Sequence, residues 1–198
     1  MSNEWDEYAE GWNKDPSVIE YAQHALESLL TEIDLHNLSV LDFGSGTGAL
    51  TELVSPKVTN IVALDPSPKM INFLNAKTLD NVTCISDFLS KQLIENNALL
   101  KQKFDLIIAS SVCSFLPDYN STLPLIRSML KPNGIFVQWD WLANSEDSTM
   151  GLTEDTIKTA LLKSQFCDIK IQFPFTMKSS KGSMPVIMAI GKNAIKDK

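Results

Sequence analysis

Short apolar runs alternate with helical patterns along most of this chain. The N-terminal part predicts two helices, because Trp5, Tyr8 and Trp12 follow i, i+3, i+7 spacing and Asp15-Pro16 is typical of an N-cap followed by a proline in the first turn. Five β-rich runs come next, separated by helical sequence, at residues 40–43, 61–64, 82–85, 106–109 and 135–137. Because parallel strands need long crossover connections, this alternation predicts an α/β fold whose sheet is covered by helices on both faces.

The pattern changes towards the C-terminus. Two further apolar runs, at residues 169–171 and 186–190, are joined by a long polar link that contains Ser179, Ser180 and Gly182, with no helix between them. They predict an antiparallel pair at one edge of the sheet. No stretch resembles an interdomain linker, so we expect one domain over residues 1–198.

Composition excludes several kinds of protein. Of the 198 residues, 44% are hydrophobic and 21% are charged, which is typical of a globular chain. The longest uncharged apolar stretch, residues 106–117, is shorter than the roughly 20 residues of a membrane span, and the acidic N-terminus does not resemble a signal peptide. We therefore expect a cytoplasmic protein without a membrane partner.

Charge and cysteine spacing narrow the choice of partner. The formal net charge is −7 and Arg127 is the only arginine, whereas nucleic-acid binders usually carry a basic stripe that includes arginines. Cys84, Cys113 and Cys167 are too widely spaced for a zinc or redox motif. We expect neither a nucleic-acid partner nor a metal site.

A glycine-rich loop follows the first predicted strand. Gly44, Gly46 and Gly48 alternate directly after it, which allows a tight turn and lets the backbone approach a ligand without a Cβ in the way. The next helix would present free N–H groups to that ligand. Asp65 ends the second predicted strand, where a carboxylate can accept both hydroxyls of a ribose. Together these features predict a nucleoside-binding site.

Two classes of cofactor fit this loop. From Gly44 to Ala49 it matches G-x-G-x-x-A, the pattern of a dinucleotide site. From Asp42 it matches D-x-G-x-G-x-G, which resembles motif I of the class I S-adenosylmethionine-dependent methyltransferases. A carboxylate at Asp42 suits the cationic amino-acid end of S-adenosylmethionine and would repel a pyrophosphate, and the chain has no Tyr-x-x-x-Lys pair. The methyltransferase interpretation is therefore favoured.

The resemblance extends from about Trp5 to Lys192 and implies a Rossmann-like fold. Its sheet has seven mostly parallel strands in the order 3-2-1-4-5-7-6, with the last strand antiparallel. By resemblance, the residues that bind S-adenosylmethionine are Asp42, Gly44, Ser45 and Gly46, then Asp65, Pro66, Ser67 and Met70, then Asp87 and Phe88 at the adenine, Ser110 beside the methionine moiety, and Trp12. Since the family folds its N-terminal helix over the cofactor, residues 1–35 are expected to form a lid.

The acceptor side is less well marked. Many members of the family place histidines after the fourth strand, but residues 112–118 contain none, so no catalytic base is assigned. Candidate acceptor-binding residues are Tyr8 in the lid, Cys113 and Ser114 after the fourth strand, and Trp139 and Trp141, which flank Asp140 after the fifth. Two tryptophans could enclose a cationic or aromatic small molecule. We expect in-line methyl transfer to a small-molecule acceptor; an NAD(P)-dependent reductase and a non-catalytic, methyltransferase-like binding protein remain alternatives.

Overall fold

A computed structural model of the chain describes residues 5–145, 150–179 and 182–194. The helices are α1 (Trp5–Lys14), α2 (Pro16–Glu32), α3 (Ala49–Val54), α4 (Pro68–Asn75), α5 (Lys91–Asn96), α6 (Ala98–Lys101), α7 (Tyr119–Ser128) and α8 (Glu154–Lys163). The strands are β1 (Ser39–Phe43), β2 (Asn60–Asp65), β3 (Val82–Ser86), β4 (Phe104–Ser110), β5 (Leu130–Trp141), β6 (Phe166–Ser179) and β7 (Gly182–Asn193). Short 3₁₀ turns cover Ser55–Lys57 and Cys113–Phe115.

The described strands form one seven-stranded sheet in the order β3-β2-β1-β4-β5-β7-β6. Strand β1 pairs in parallel with β2, β2 with β3, and β4 with β5, whereas β7 runs antiparallel to both β5 and β6. The predicted fold class, strand order and antiparallel last strand are confirmed. Among the described residues no helix is long and apolar enough to cross a membrane. The compartment stays a prediction.

The chain divides into two compact units, residues 1–102 and residues 103–198. The first contains α1 to α6 and β1 to β3, and the second contains the remaining helices and strands. In each unit the apolar runs form the buried strands: Leu41 and Val62 in the first unit and Ile107 and Val137 in the second are at most 1% exposed. Such burial is expected of parallel strands covered on both faces. The prediction of one domain over residues 1–198 stays a prediction.

The Lys-Pro-Asn-Gly sequence at residues 131–134 is typical of a turn, but in the structure it lies inside β5. Leu130 pairs with Phe104, and the register then jumps so that Ile135 pairs with Leu106. Residues 131–134 therefore form a bulge, with Asn133 in the left-handed region at φ 63°. A turn signal in sequence does not distinguish a loop from a bulge that keeps its flanking residues paired.

The prediction of a long polar link between the last two strands is wrong. Strand β6 extends to Ser179 and β7 begins at Gly182, and the two strands pair along most of this length; residues 180 and 181 lie outside the described residues. Exposed side chains such as Phe173 and Lys178 alternate with more buried ones along β6. An antiparallel edge strand can expose one face to water, so its polar positions resemble a loop in sequence.

Candidate functional site

The loop between β1 and α3 is tied to the end of β2. The N–H groups of Gly44 and Ser45 both donate to the Leu64 carbonyl, at 2.7 and 3.2 Å. Gly44 and Gly46 adopt left-handed φ values of 72° and 54°, which glycine reaches without strain. The loop thus has the tight, left-handed turn expected of alternating glycines, and its approach to a ligand stays a prediction.

Asp65 joins this loop to the start of α4. Its Oδ2 accepts a hydrogen bond from the Gly46 N–H at 2.9 Å, and its Oδ1 accepts from the Ser67 N–H at 2.8 Å. Burial raises the pKa of Asp65, while these two N–H donors act to lower it. Each carboxylate oxygen can accept a further hydrogen bond, which is what the two hydroxyls of a ribose require.

Asp42, which the motif predicts to contact the cofactor, is almost completely buried within the protein. It is 2% exposed, and its Oδ2 accepts from the Thr51 hydroxyl at 2.6 Å. Burial raises the pKa of Asp42 to about 7, and the nearby charge of Asp65 adds to the rise. Its carboxyl therefore ties β1 to α3. Thr51 was not among the predicted site residues, because a threonine within a short helix carries no signal of its own.

The start of α4 contains Ser67 and Met70, both buried, after the half-buried Pro66. The Ser67 hydroxyl caps the helix by accepting from the Met70 N–H at 3.1 Å. It also donates to the carboxylate of Asp6 in α1 at 2.5 Å. Asp6 is a second residue that sequence reasoning missed, since it lies among exposed polar positions.

Asp87 and Phe88 follow β3 at the surface. The Asp87 carboxylate accepts from the Phe88 N–H at 2.7 Å, and the Phe88 side chain is 64% exposed. No helix begins at Phe88; α5 begins at Lys91, with Ser90 as its N-cap. Both side chains are accessible to an adenine, and this role stays a prediction.

Helix α1 carries the aromatic side chains of the expected lid. Trp5 and Tyr8 are in ring contact, with centroids 6.0 Å apart, and Tyr8 is 60% exposed. Trp12 lies over the glycine loop: a Cβ added to Gly46 would be 3.7 Å from its Nε1. The aromatic face is therefore only partly covered. Residues 1–4 of the expected lid lie outside the described residues.

The geometry of this first unit fits a nucleoside cofactor. The Ser45 hydroxyl oxygen is buried and has no hydrogen-bond partner among the described residues. Buried hydroxyls are normally paired, so a polar ligand group at the loop would supply a missing partner. The N–H groups of Gly44, Ser45 and Gly46 are paired within the protein, so the Ser45 hydroxyl and the remaining acceptor positions of Asp65 are the groups of this loop that fit a ribose and its substituents.

The second unit contains a buried polar network around Asp140. The Asp140 carboxylate accepts from the Ser114 N–H at 2.9 Å and from the Gln138 side-chain amide at 3.1 Å, and the Tyr119 hydroxyl donates to Gln138 at 2.6 Å. Burial raises the pKa of Asp140 to about 7 and raises the pKa of the buried Cys113 thiol. The network joins β5 to the 3₁₀ turn after β4.

The predicted acceptor residues of this unit differ in accessibility. Trp139 is fully buried, whereas Trp141, Ser114 and Ser110 are half-buried. Side chains alternate along a strand, so the two tryptophans lie on the face of β5 opposite to Asp140 and do not surround its carboxylate. In the part of the chain that the structure describes, no group of three or more metal-ligating side chains occurs.

Comparison with known proteins identifies the class of this chain. A family model described as a methyltransferase domain matches residues 16–173, and the chain belongs to this family.

Individual relatives are more distant. The chain is 29% identical to the ubiquinone biosynthesis O-methyltransferase of Histophilus somni over 128 residues, which are 61% of this chain and 50% of that protein. It is 32% identical to ribosomal RNA small subunit methyltransferase A of Aster yellows witches'-broom phytoplasma over 72 residues, 36% of this chain and 27% of that protein. The chain thus spans half or less of the length of these curated relatives.

A solved structure shows the same fold. The complex of DhpI with SAM and HEP superposes with a TM-score of 0.73 at 17% sequence identity, covering 94% of this chain and 93% of that one. At this identity the similarity concerns the fold alone.

Proposed function

We propose that this protein is an S-adenosylmethionine-dependent methyltransferase that methylates a small-molecule acceptor. One observation carries the proposal: the N–H groups of Gly46 and Ser67 both donate to Asp65, so the glycine loop and the start of α4 are arranged around a single carboxylate. In a methyltransferase domain, this arrangement fits the ribose of the cofactor.

The same residues supply the remaining contacts in this proposal. Asp65 would accept from the ribose hydroxyls, the loop backbone and the Ser45 hydroxyl would pair with polar groups of the cofactor, and Met70 would pack on its apolar surface. Asp87 and Phe88 remain the proposed adenine contacts, Trp12 the proposed cover, and Ser110 the proposed methionine contact. The proposed contact between Asp42 and the amino group of the cofactor has the least structural support, because the buried Asp42 carboxyl already accepts from Thr51.

Positioning would provide much of the rate. When bound, S-adenosylmethionine supplies a methyl group attached to a sulfonium sulfur. The neutral thioether that remains after transfer is a good leaving group. The chain's task is to hold the acceptor atom in line with that methyl group and to keep water out. A general base is needed only for an acceptor that arrives protonated. The absence of histidine from residues 112–118 is therefore compatible with turnover.

A small-molecule acceptor agrees with the charge of the chain. A formal net charge of −7 and a single arginine do not favour attraction of a polyanion. The similarity to the ribosomal RNA methyltransferase covers only 36% of this chain, and the similarity to the ubiquinone biosynthesis enzyme covers 61%. Tyr8, Ser114 and Trp141 are the proposed acceptor-binding residues that are exposed or half-buried, whereas the other two predicted residues, Cys113 and Trp139, are buried.

Ligand binding tests the proposed cofactor. S-adenosylhomocysteine at 100 times its dissociation constant should stabilise the protein by about 2.7 kcal/mol, which raises the melting temperature by roughly 5 to 10 °C. NADH should cause no shift. Stabilisation by NADH alone would instead identify a nicotinamide-dependent reductase.

Asp65→Ala should weaken S-adenosylhomocysteine binding by roughly 10- to 150-fold in calorimetry, because charged hydrogen bonds to the ribose would be lost. Asp80→Ala is a matched control, since it removes an exposed carboxylate from the same unit. Unchanged affinity in the Asp65 variant would place the ribose elsewhere.

A screen of phenols, carboxylic acids and amines with labelled methyl donor would identify the acceptor. Binding without transfer to any of them would favour the non-catalytic alternative.

A further inference from the structure

Asp6 attaches helix α1 to the first turn of α4. Its Oδ1 accepts from the Ser67 hydroxyl at 2.5 Å and from the Lys69 N–H at 3.2 Å, although these residues lie more than 60 positions away in sequence. The hydrogen bond from Ser67 is the main reason that the pKa of Asp6 is lowered. A carboxylate at a helix N-terminus also interacts favourably with the helix dipole. Asp6 thus makes a specific, charge-assisted attachment.

Ser67 connects that attachment to the proposed ribose site. It is fully buried, its hydroxyl bonds both to Asp6 and to the Met70 N–H, and its own N–H donates to Asp65. One residue therefore contacts the carboxylate of α1 and the carboxylate proposed to bind the ribose. Ser67 thus links the two carboxylates through hydrogen bonds of its own.

A second point of approach lies further along α1. Trp12 is six residues after Asp6, which corresponds to about 9 Å along a helix. Its indole Nε1 lies next to Gly46, the other residue whose N–H donates to Asp65. Helix α1 therefore lies beside both residues whose N–H groups donate to Asp65. Asp6 contacts Ser67, and Trp12 lies next to Gly46.

We infer that Asp6 is a positioning residue for the cofactor: by holding Ser67, it couples the docking of α1 to the orientation of Asp65. The inference rests on the proposed function, since it concerns the same ribose site. Asp6 does not need to touch the cofactor. When Asp6 holds Ser67, docking of α1 keeps Asp65 in the orientation that binds the ribose. Cofactor binding in turn stabilises the docked position of α1.

Calorimetry with S-adenosylhomocysteine, combined with hydrogen exchange, tests this coupling. Asp6→Ala should weaken binding by about 5- to 20-fold, within the usual range of coupling between linked sites. It should also speed exchange across α1 in the free protein. Asp6→Asn keeps an oxygen that can accept from Ser67 and Lys69, so it should recover most of the affinity. Glu7→Gln is the matched control, because it removes one charge from an exposed neighbour on the same helix.

Each outcome decides a different point. Asp6→Ala with wild-type affinity would overturn the inference even if α1 exchanged faster, because docking and binding would then be independent. A loss of affinity as large in Glu7→Gln, or undiminished in Asp6→Asn, would also overturn it, since charge or helix content rather than the hydrogen bond would be responsible. If the wild-type protein binds neither S-adenosylmethionine nor S-adenosylhomocysteine, the proposed function fails and the inferred coupling fails with it.

Discussion

Two glycines of the loop have the same backbone conformation but different neighbours. Gly46 and Gly48 both lie in the left-handed region, at φ 54° and 81°. A Cβ on Gly48 would lie 2.3 Å from Cδ1 of Leu74, a fully buried residue of α4, whereas a Cβ on Gly46 would meet only Trp12, at 3.7 Å. Gly48 is therefore required for packing, and Gly46 leaves backbone accessible beside the proposed ribose site.

Alanine substitutions should separate these two roles. Gly48→Ala should lower the free energy of unfolding by about 2 to 5 kcal/mol, since overpacking adds to the cost of an alanine in the left-handed region. Gly46→Ala should lower it by only about 1 to 2 kcal/mol but should weaken S-adenosylhomocysteine binding. Denaturant unfolding and calorimetry measure the two effects. Equal losses of stability in both variants would contradict the assignment of Gly48 to packing.

At the scale of elements, a buried carboxylate holds the segment after β4. The N–H of Ser114, within the 3₁₀ turn Cys113–Phe115, donates to Asp140 in β5, which also accepts from Gln138. In a buried network each such donor is costly to leave unpaired. The position of this segment, where two acceptor-binding residues are proposed, thus depends on one side chain of a neighbouring strand.

Asp140→Ala should release this turn. Loss of the acceptor leaves the partly buried Ser114 N–H and the buried Gln138 amide without their acceptor, which should reduce stability by about 2 to 4 kcal/mol, and the Ser114 amide should exchange faster. Asp118→Ala is a useful comparison, because Asp118 caps α7 through the Ser121 N–H. It should cost about 1 kcal/mol while leaving the Ser114 amide protected. Slow exchange at Ser114 in the Asp140 variant would show that other contacts hold the turn.

At the scale of the whole molecule, burial of acidic groups controls how stability depends on pH. Asp42 in the first compact unit and Asp140 in the second are enclosed carboxyls, and burial raises the pKa of each to about 7. Both values lie well above those of the unfolded chain. The folded protein therefore binds more protons than the unfolded protein between about pH 4 and pH 7.

These two groups should make the protein less stable as the pH rises through that interval. Their contribution is fully present below the unfolded pKa and is lost as the pH passes the folded pKa; each group loses at most about 1.4 kcal/mol per pH unit. The lowered pKa values of Asp6 and Asp118 act in the opposite direction, but neither carboxyl is fully buried. Urea unfolding at pH 5, 6 and 7.5 should show the decline. Asp42→Asn and Asp140→Asn should each flatten it, and a rise in stability over this interval would contradict the prediction.

Local signals in the sequence determined the order and type of most elements. Asp15 was predicted to cap a helix, and in the structure it is the N-cap of α2, where its side chain accepts from the Ser17 N–H. Ser67 and Thr153 cap α4 and α8 in the same way, each accepting from an N–H three residues ahead. A cap of this kind needs only its own helix, so sequence neighbours suffice to predict it. The approach of the glycine loop to Asp65 could also be expected, because adjacent parallel strands end at the same edge of a sheet. The strand order, in contrast, was implied by the resemblance to the methyltransferase family.

Tertiary structure alone decided which partner each face meets. Periodicity marked an aromatic face on α1, but only the folded chain shows that Asp6 meets Ser67, because that contact joins residues 61 positions apart. Similarly, only the folded chain shows that Asp140 is enclosed and accepts from the Ser114 N–H, 26 residues away in sequence. The pKa of Asp140 rises because packing removes water from it. Such properties arise from the surroundings of a side chain, which depend on long-range packing and not on its neighbours in sequence.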